Sequence, residues 1–121
     1  MEDVQVILSA LWVSLMLTYL LGDVIRIFSG DHVPGEMAGQ KATQGMWMVA
    51  AIIMLIPILM VFLSVTLPFP VNGWLNIILA IFLFLFNLSG LRTYPSYYDK
   101  FLIVVGLVFN VLIVWYAWNW I

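Results

Sequence analysis

From Val4, apolar side chains continue with little interruption to about Phe28, and resume from Thr43 to Leu67, Val71 to Leu91 and Tyr98 to Ile121. Each run exceeds the ~20 residues a helix needs to cross a hydrocarbon core of roughly 30 Å, so the pattern predicts four transmembrane helices. The intervening segments carry Gly, Pro and charge: SGDHVPGEMAGQKATQG is the longest, and LPFPVNG and RTYPSYYD are short. Short connections imply an up-down-up-down bundle. The two prolines of LPFPVNG end the second helix, and the tightness of that turn predicts helices 2 and 3 as antiparallel neighbours. The expected fold class is therefore all-α, an integral membrane four-helix bundle forming a single domain over 1–121.

Within those runs small and polar residues recur on single faces. In lipid, such residues mark where helices approach closely or bond across. The predicted inward stripes are Ala10, Ser14, Thr18 and Gly22 on helix 1, and Ala50, Pro57 and Ser64 on helix 2. On helix 3 they are Asn72, Asn76, Ala80 and Asn87, and on helix 4 Asp99, Gly106, Asn110 and Ala117. Asn110, near the middle of helix 4, is expensive in hydrocarbon unless a neighbour or ligand bonds it. Pro57 removes a helical donor near the middle of helix 2 and predicts a kink. These stripes fit two readings: glue between helices or copies, and the walls of a polar cavity holding Thr18, Asn76, Asn87 and Asn110.

Composition agrees with the pattern. The chain is 65% hydrophobic and 8% charged, with mean hydropathy +1.14, far from the make-up of soluble domains. Length leaves no room for a separate soluble domain. A net charge of -2, scattered along the chain, offers neither a nucleic-acid surface nor a polybasic lipid anchor. The start MEDVQVILSALW lacks the features of a cleaved signal peptide, so the first run is expected to remain. With no cysteine there is no disulfide, thiolate nucleophile or cysteine metal site.

Charge and aromatic placement bear on orientation. Arg26, Lys41, Arg92 and Lys100 all fall at the connections between helices 1 and 2 and between 3 and 4, whereas the opposite side holds Glu2 and Asp3. The positive-inside rule then makes those connections cytoplasmic and both termini external. Trp74, Trp115, Tyr116, Trp118 and Trp120 form an aromatic belt at one interface, with Tyr94, Tyr97 and Tyr98 at the other.

The candidate chemistry is sparse. Asp23 and Arg26, three residues apart on helix 1, are close enough to pair at the cytoplasmic edge of the core, level with Arg92, Asp99 and Lys100. This rim cluster reads as an interfacial ion pair or as a functional carboxylate, since acids in spans often mark substrate or proton paths. His32, the only histidine, is flanked by Asp31 and lies four residues from Glu36, which is not the ligand spacing of a zinc or haem site. No Ser-His-Asp arrangement, phosphate loop or dinucleotide motif occurs. No metal or cofactor is expected.

Several pieces together resemble an uncharacterised family of small bacterial four-helix membrane proteins, a domain of unknown function. They are Leu11-Trp12, YLLGD, TQG at the start of helix 2, IP within it, VNGWLNII and the tail LIVWYAWNW. The resemblance implies a bacterial inner-membrane protein of this architecture and no assigned activity. Members often carry an acid just before the helix 2 proline, where this chain has Leu55, and bases where it has Gly73 and Asn119. The first departure argues against an intramembrane carboxylate mechanism; the others bear on orientation.

The leading expectation is a non-enzymatic bundle that self-associates and holds membrane lipid or another hydrophobic small molecule between its helices. The alternative is a subunit of a small proton- or cation-coupled transporter or channel using Asp23 and Arg26. A membrane enzyme with Asp23 or Asp99 as acid or base ranks last, because no two carboxylates are paired deep in one run.

Overall fold

The computed structural model describes residues 2–30, 33, 35–37, 40–90 and 96–121. Four helices are packed together: α1 Asp3–Ser29, α2 Gln44–Thr66, α3 Val71–Gly90 and α4 Tyr97–Trp120. All four are long and apolar enough to cross a membrane. Two short strands, β1 Glu36–Met37 and β2 Gln40–Lys41, pair antiparallel between α1 and α2. Side-chain bonds fix the directions. Ser9 on α1 bonds the carbonyl of Val61 late in α2, Trp12 reaches Asn76 early in α3, and Arg26 late in α1 reaches Asp99 early in α4. The bundle is therefore up-down-up-down, with both termini and the α2–α3 turn at one end.

Helix ends follow local chemistry. Gln5 accepts the Glu2 N–H at 2.9 Å at the start of α1, and Gly30, at φ 84°, closes the helix in the left-handed region that glycine enters without strain. Thr43 caps α2 by accepting the Met46 N–H at 3.2 Å. α2 stops at Thr66, before Pro68, whose missing N–H cannot continue it.

The core sits in the half of the bundle nearer the termini, where Leu8, Trp12, Leu15, Met60, Ile77, Ala80, Leu83, Ile113 and Ala117 are buried together. Exposed positions are mostly Val, Ile, Leu and Phe, as lipid-facing surfaces require. Two expectations are corrected. On α1 the buried positions are Leu8, Trp12, Leu15 and Gly22, whereas Ala10 is exposed. Ser14 and Thr18 donate to Ala10 O and Ser14 O of their own helix, at 3.0 and 2.8 Å, so neither hydroxyl needs a neighbouring helix. The second correction concerns α2 and α3. They are antiparallel but meet only sparsely, while α1 packs along both α2 and α4, and α3 along α4. The order around the bundle is α2, α1, α4, α3, and its two outer members diverge away from their turn.

The two chain ends are joined. Trp120 Nε1 donates to Glu2 Oε2 at 2.6 Å, and its ring lies 5.4 Å from Phe69. Trp74 and Trp118 meet edge to face at 6.2 Å. Gly73 makes this closure feasible: a Cβ there would overlap the Ile121 side chain and stand 3.5 Å from the Trp120 ring. Gly73→Ala is thus expected to displace Ile121 and cost about 1 kcal/mol of stability by overpacking. Unfolding in mixed micelles checks this, and an unchanged midpoint would count against it.

Candidate functional site

Buried polar side chains fall into two groups at opposite ends of the bundle. Near the termini, Asn76 Oδ1 accepts from Trp12 Nε1 at 2.6 Å and from Ser64 Oγ at 3.2 Å. Asn76 Nδ2 donates to Asn72 O and Oδ1 at 2.8 and 2.7 Å, and Asn72 Nδ2 donates to Ser64 O at 2.7 Å. This network ties α1, α2 and α3 and leaves Asn76 no free group. Asn76 is therefore not part of the wall of the cavity at the other end; it joins three helices near the termini.

At the other end the axis is open. Where α2 and α3 have separated lies a cavity of about 240 Å³ touched by all four helices. Thr18, Tyr19, Gly22, Asp23 and Arg26 of α1 form one wall, with Ile53 and Met54 of α2, Leu83, Phe86, Asn87 and Ser89 of α3, and Leu102 and Ile103 of α4 completing it. At about 1.5 Å per residue, the polar strip from Thr18 to Arg26 runs roughly 12 Å from near the middle of α1 toward its end. A volume just below the roughly 300–1,000 Å³ of small-molecule sites suits a head group and the first part of a chain.

The mouth of the cavity is held by charge. Arg26 directs Nη1 to Asp99 Oδ1 at 2.5 Å and Nη2 to Asp23. The carboxylates differ in surroundings: the Asp99 side chain is 1% exposed and that of Asp23 52%. Asp99 Oδ2 is buried and has no hydrogen-bond partner, so Arg26 supplies the described compensation for that charge. Gly22 gives the guanidinium room to fold back, since a Cβ there would lie 3.4 Å from Nη1.

Deeper in, Asn87 Nδ2 donates to the Tyr19 hydroxyl and to Leu83 O, the latter at 2.8 Å. The same hydroxyl neighbours Asn110, which is fully buried, donates Nδ2 to Gly106 O at 3.1 Å and leaves Oδ1 without a partner. On α2, Pro57 has no N–H, so the carbonyl of cavity-lining Ile53 lacks its helical donor.

The residues singled out by sequence thus separate. Thr18, Asn87, Asp23 and Arg26 line the cavity, Asp99 lies beneath Arg26, and Asn110 is buried beside Tyr19. Asn76 belongs to the other end, and Lys100 is exposed. Arg92, Tyr94, Asp31 and His32 lie outside the described residues. Sequence reasoning missed Tyr19, although Tyr19, Gly22 and Arg26 recur at steps of three and four and so share a helix face.

Fold and site together define a bundle of four helices long and apolar enough to cross a membrane, tied at one end by an asparagine network and open at the other into a polar-walled cavity. The chain belongs to a family of unknown function, DUF6326, whose model matches residues 1–121. No curated protein and no solved structure matches it.

Proposed function

We propose that this is a non-enzymatic integral membrane protein that holds a lipid or other hydrophobic small molecule in the cavity between α2 and α3. The observation that carries the reading is the divergence of those helices around a cavity with a polar wall on α1 and apolar walls on α2 and α4. An amphiphile enters such a site from the bilayer, its head near Arg26 and its chain between the helices. The protein lies in a bacterial inner membrane with the Arg26 end cytoplasmic, a reading supported by the resemblance and by the placement of the basic residues. Self-association is compatible with this reading and is not required by it.

Transport would use the same Asp23 and Arg26, but Trp12, Asn76 and Ser64 plug the axis on the side of the termini, which favours binding over a through-path. Catalysis by Asp23 or Asp99 is disfavoured because both are held by Arg26.

Ile53→Trp places an indole in the cavity from a half-buried α2 position. Wild-type protein in nanodiscs is expected to retain a co-purifying amphiphile, read by native mass spectrometry. The variant is expected to lose it while keeping its helix content. Equal retention by both would defeat the proposal.

A further inference from the structure

The hydrogen-bonding state of the cavity wall restricts what the cavity can hold. Thr18 Oγ1 donates to Ser14 O and Ser89 Oγ to Phe86 O, at 2.8 and 2.6 Å. Both N–H groups of Asn87 are engaged, by Leu83 O and the Tyr19 hydroxyl. Arg26 aims one Nη at each of two carboxylates. The hydroxyls of Thr18 and Ser89 and the amide of Asn87 are therefore committed to protein acceptors, and Arg26 is turned toward two carboxylates.

Acceptors are left over. Asn87 Oδ1 has no partner among the described residues, Thr18 Oγ1 keeps its lone pairs, and the carbonyl of Ile53 lacks its helical donor opposite Pro57. Asp23 is half-exposed, with one oxygen on Arg26 and the other free to accept. An anionic head group would have to compete with two carboxylates for Arg26, whereas a head bringing N–H donors and positive charge meets the free oxygen of Asp23 and the unfilled acceptors of Asn87, Thr18 and Ile53.

Given that the cavity is a ligand site, as proposed above, we infer that it takes a cationic amphiphile whose head carries N–H donors, a primary alkylammonium being the simplest case. The head sits between Asp23, Thr18 and Asn87, and the chain lies between α2 and α3.

Three probes with the same chain test this by equilibrium binding to the full chain in phosphatidylcholine nanodiscs, with empty nanodiscs as the blank. They are dodecylammonium, dodecyltrimethylammonium, which keeps the charge but has no N–H, and dodecyl phosphate. Dodecylammonium is expected to bind saturably and at least about tenfold more tightly than either of the others, the worth of one charge-assisted hydrogen bond. Asp23→Asn is expected to weaken it about tenfold; the side chain is 52% exposed, so the fold tolerates the change, which an unaltered unfolding midpoint verifies. Equal binding of the trimethylammonium probe, or equal or tighter binding of dodecyl phosphate, would overturn the inference while leaving an amphiphile site in place. No saturable binding of any probe, together with identical co-purification by wild type and Ile53→Trp, would overturn the site itself.

Discussion

Arg26→Met is expected to destabilise the bundle by about 3–5 kcal/mol, the cost typical of removing one partner from a buried ion pair. The magnitude comes from what is left behind: Asp99 is 1% exposed, and its Oδ2 already lacks a partner, so loss of the guanidinium strands the carboxylate without its described compensating charge. Asp23, at 52% exposure, can turn to water instead. Asp23→Asn should therefore cost no more than the roughly 0–1 kcal/mol of an exposed pair. The double change Arg26→Met with Asp99→Leu should recover most of the loss, because replacing both partners leaves no charge to compensate. Unfolding of the purified variants in mixed micelles measures all three. A loss below 1 kcal/mol for Arg26→Met, or no recovery in the double variant, would show that the ion pair does not hold this end together.

Asn76→Leu is the corresponding change at the other end. It removes the acceptor of Trp12 Nε1 and Ser64 Oγ and the donor to Asn72 at once. Bonds between membrane helices average about 0.6 kcal/mol, but groups left unsatisfied in a dry core add their own penalty, giving roughly 2–4 kcal/mol in total. Asn119→Leu is the control, since Asn119 is exposed and donates to Trp115 O of its own helix. It should change stability by no more than about 0.5 kcal/mol. If the two variants unfold alike, the network does not staple the bundle.

These two ends have different work to do. The asparagine network and the Glu2–Trp120 bond hold the helices together where the termini meet, and this allows α2 and α3 to separate further along. The Arg26 cluster keeps α1 and α4 together at the open end without closing the space between α2 and α3.

Much of this was legible in the chain itself. The four apolar runs specify the helices, because a backbone in hydrocarbon must satisfy its own hydrogen bonds and a helix does so within one segment. The polar faces of α3 and α4 were equally readable: Asn72, Asn76 and Ala80 are buried on one, and Asp99, Gly106, Asn110 and Ala117 on the other. The seam of α1 does not follow the spacing of its small residues. Small residues at Ala10, Ser14 and Thr18 suggested the seam, yet Leu8, Trp12, Leu15 and Gly22 occupy it. A hydroxyl that bonds its own helix has the same sequence spacing as one that bonds a neighbour, and Trp12 faces inward because Asn76 offers an acceptor from another helix.

The sequence by itself therefore determined the four helices and the polar side of two of them, which depend on spacing along one helix, whereas the short pairing of Glu36–Met37 with Gln40–Lys41 was not legible in it. The tertiary structure alone decided that Asn76 and Asn87, on a single face of α3, serve different ends, one in a closed network and the other in a cavity wall. It also decided that Asp23 and Asp99, far apart in the chain, share Arg26. The physical reason is that a helix face has only a direction, whereas its surroundings depend on how far the opposite helix stands. Here that distance grows along α2 and α3, so equivalent residues meet a partner at one level and open space at the next.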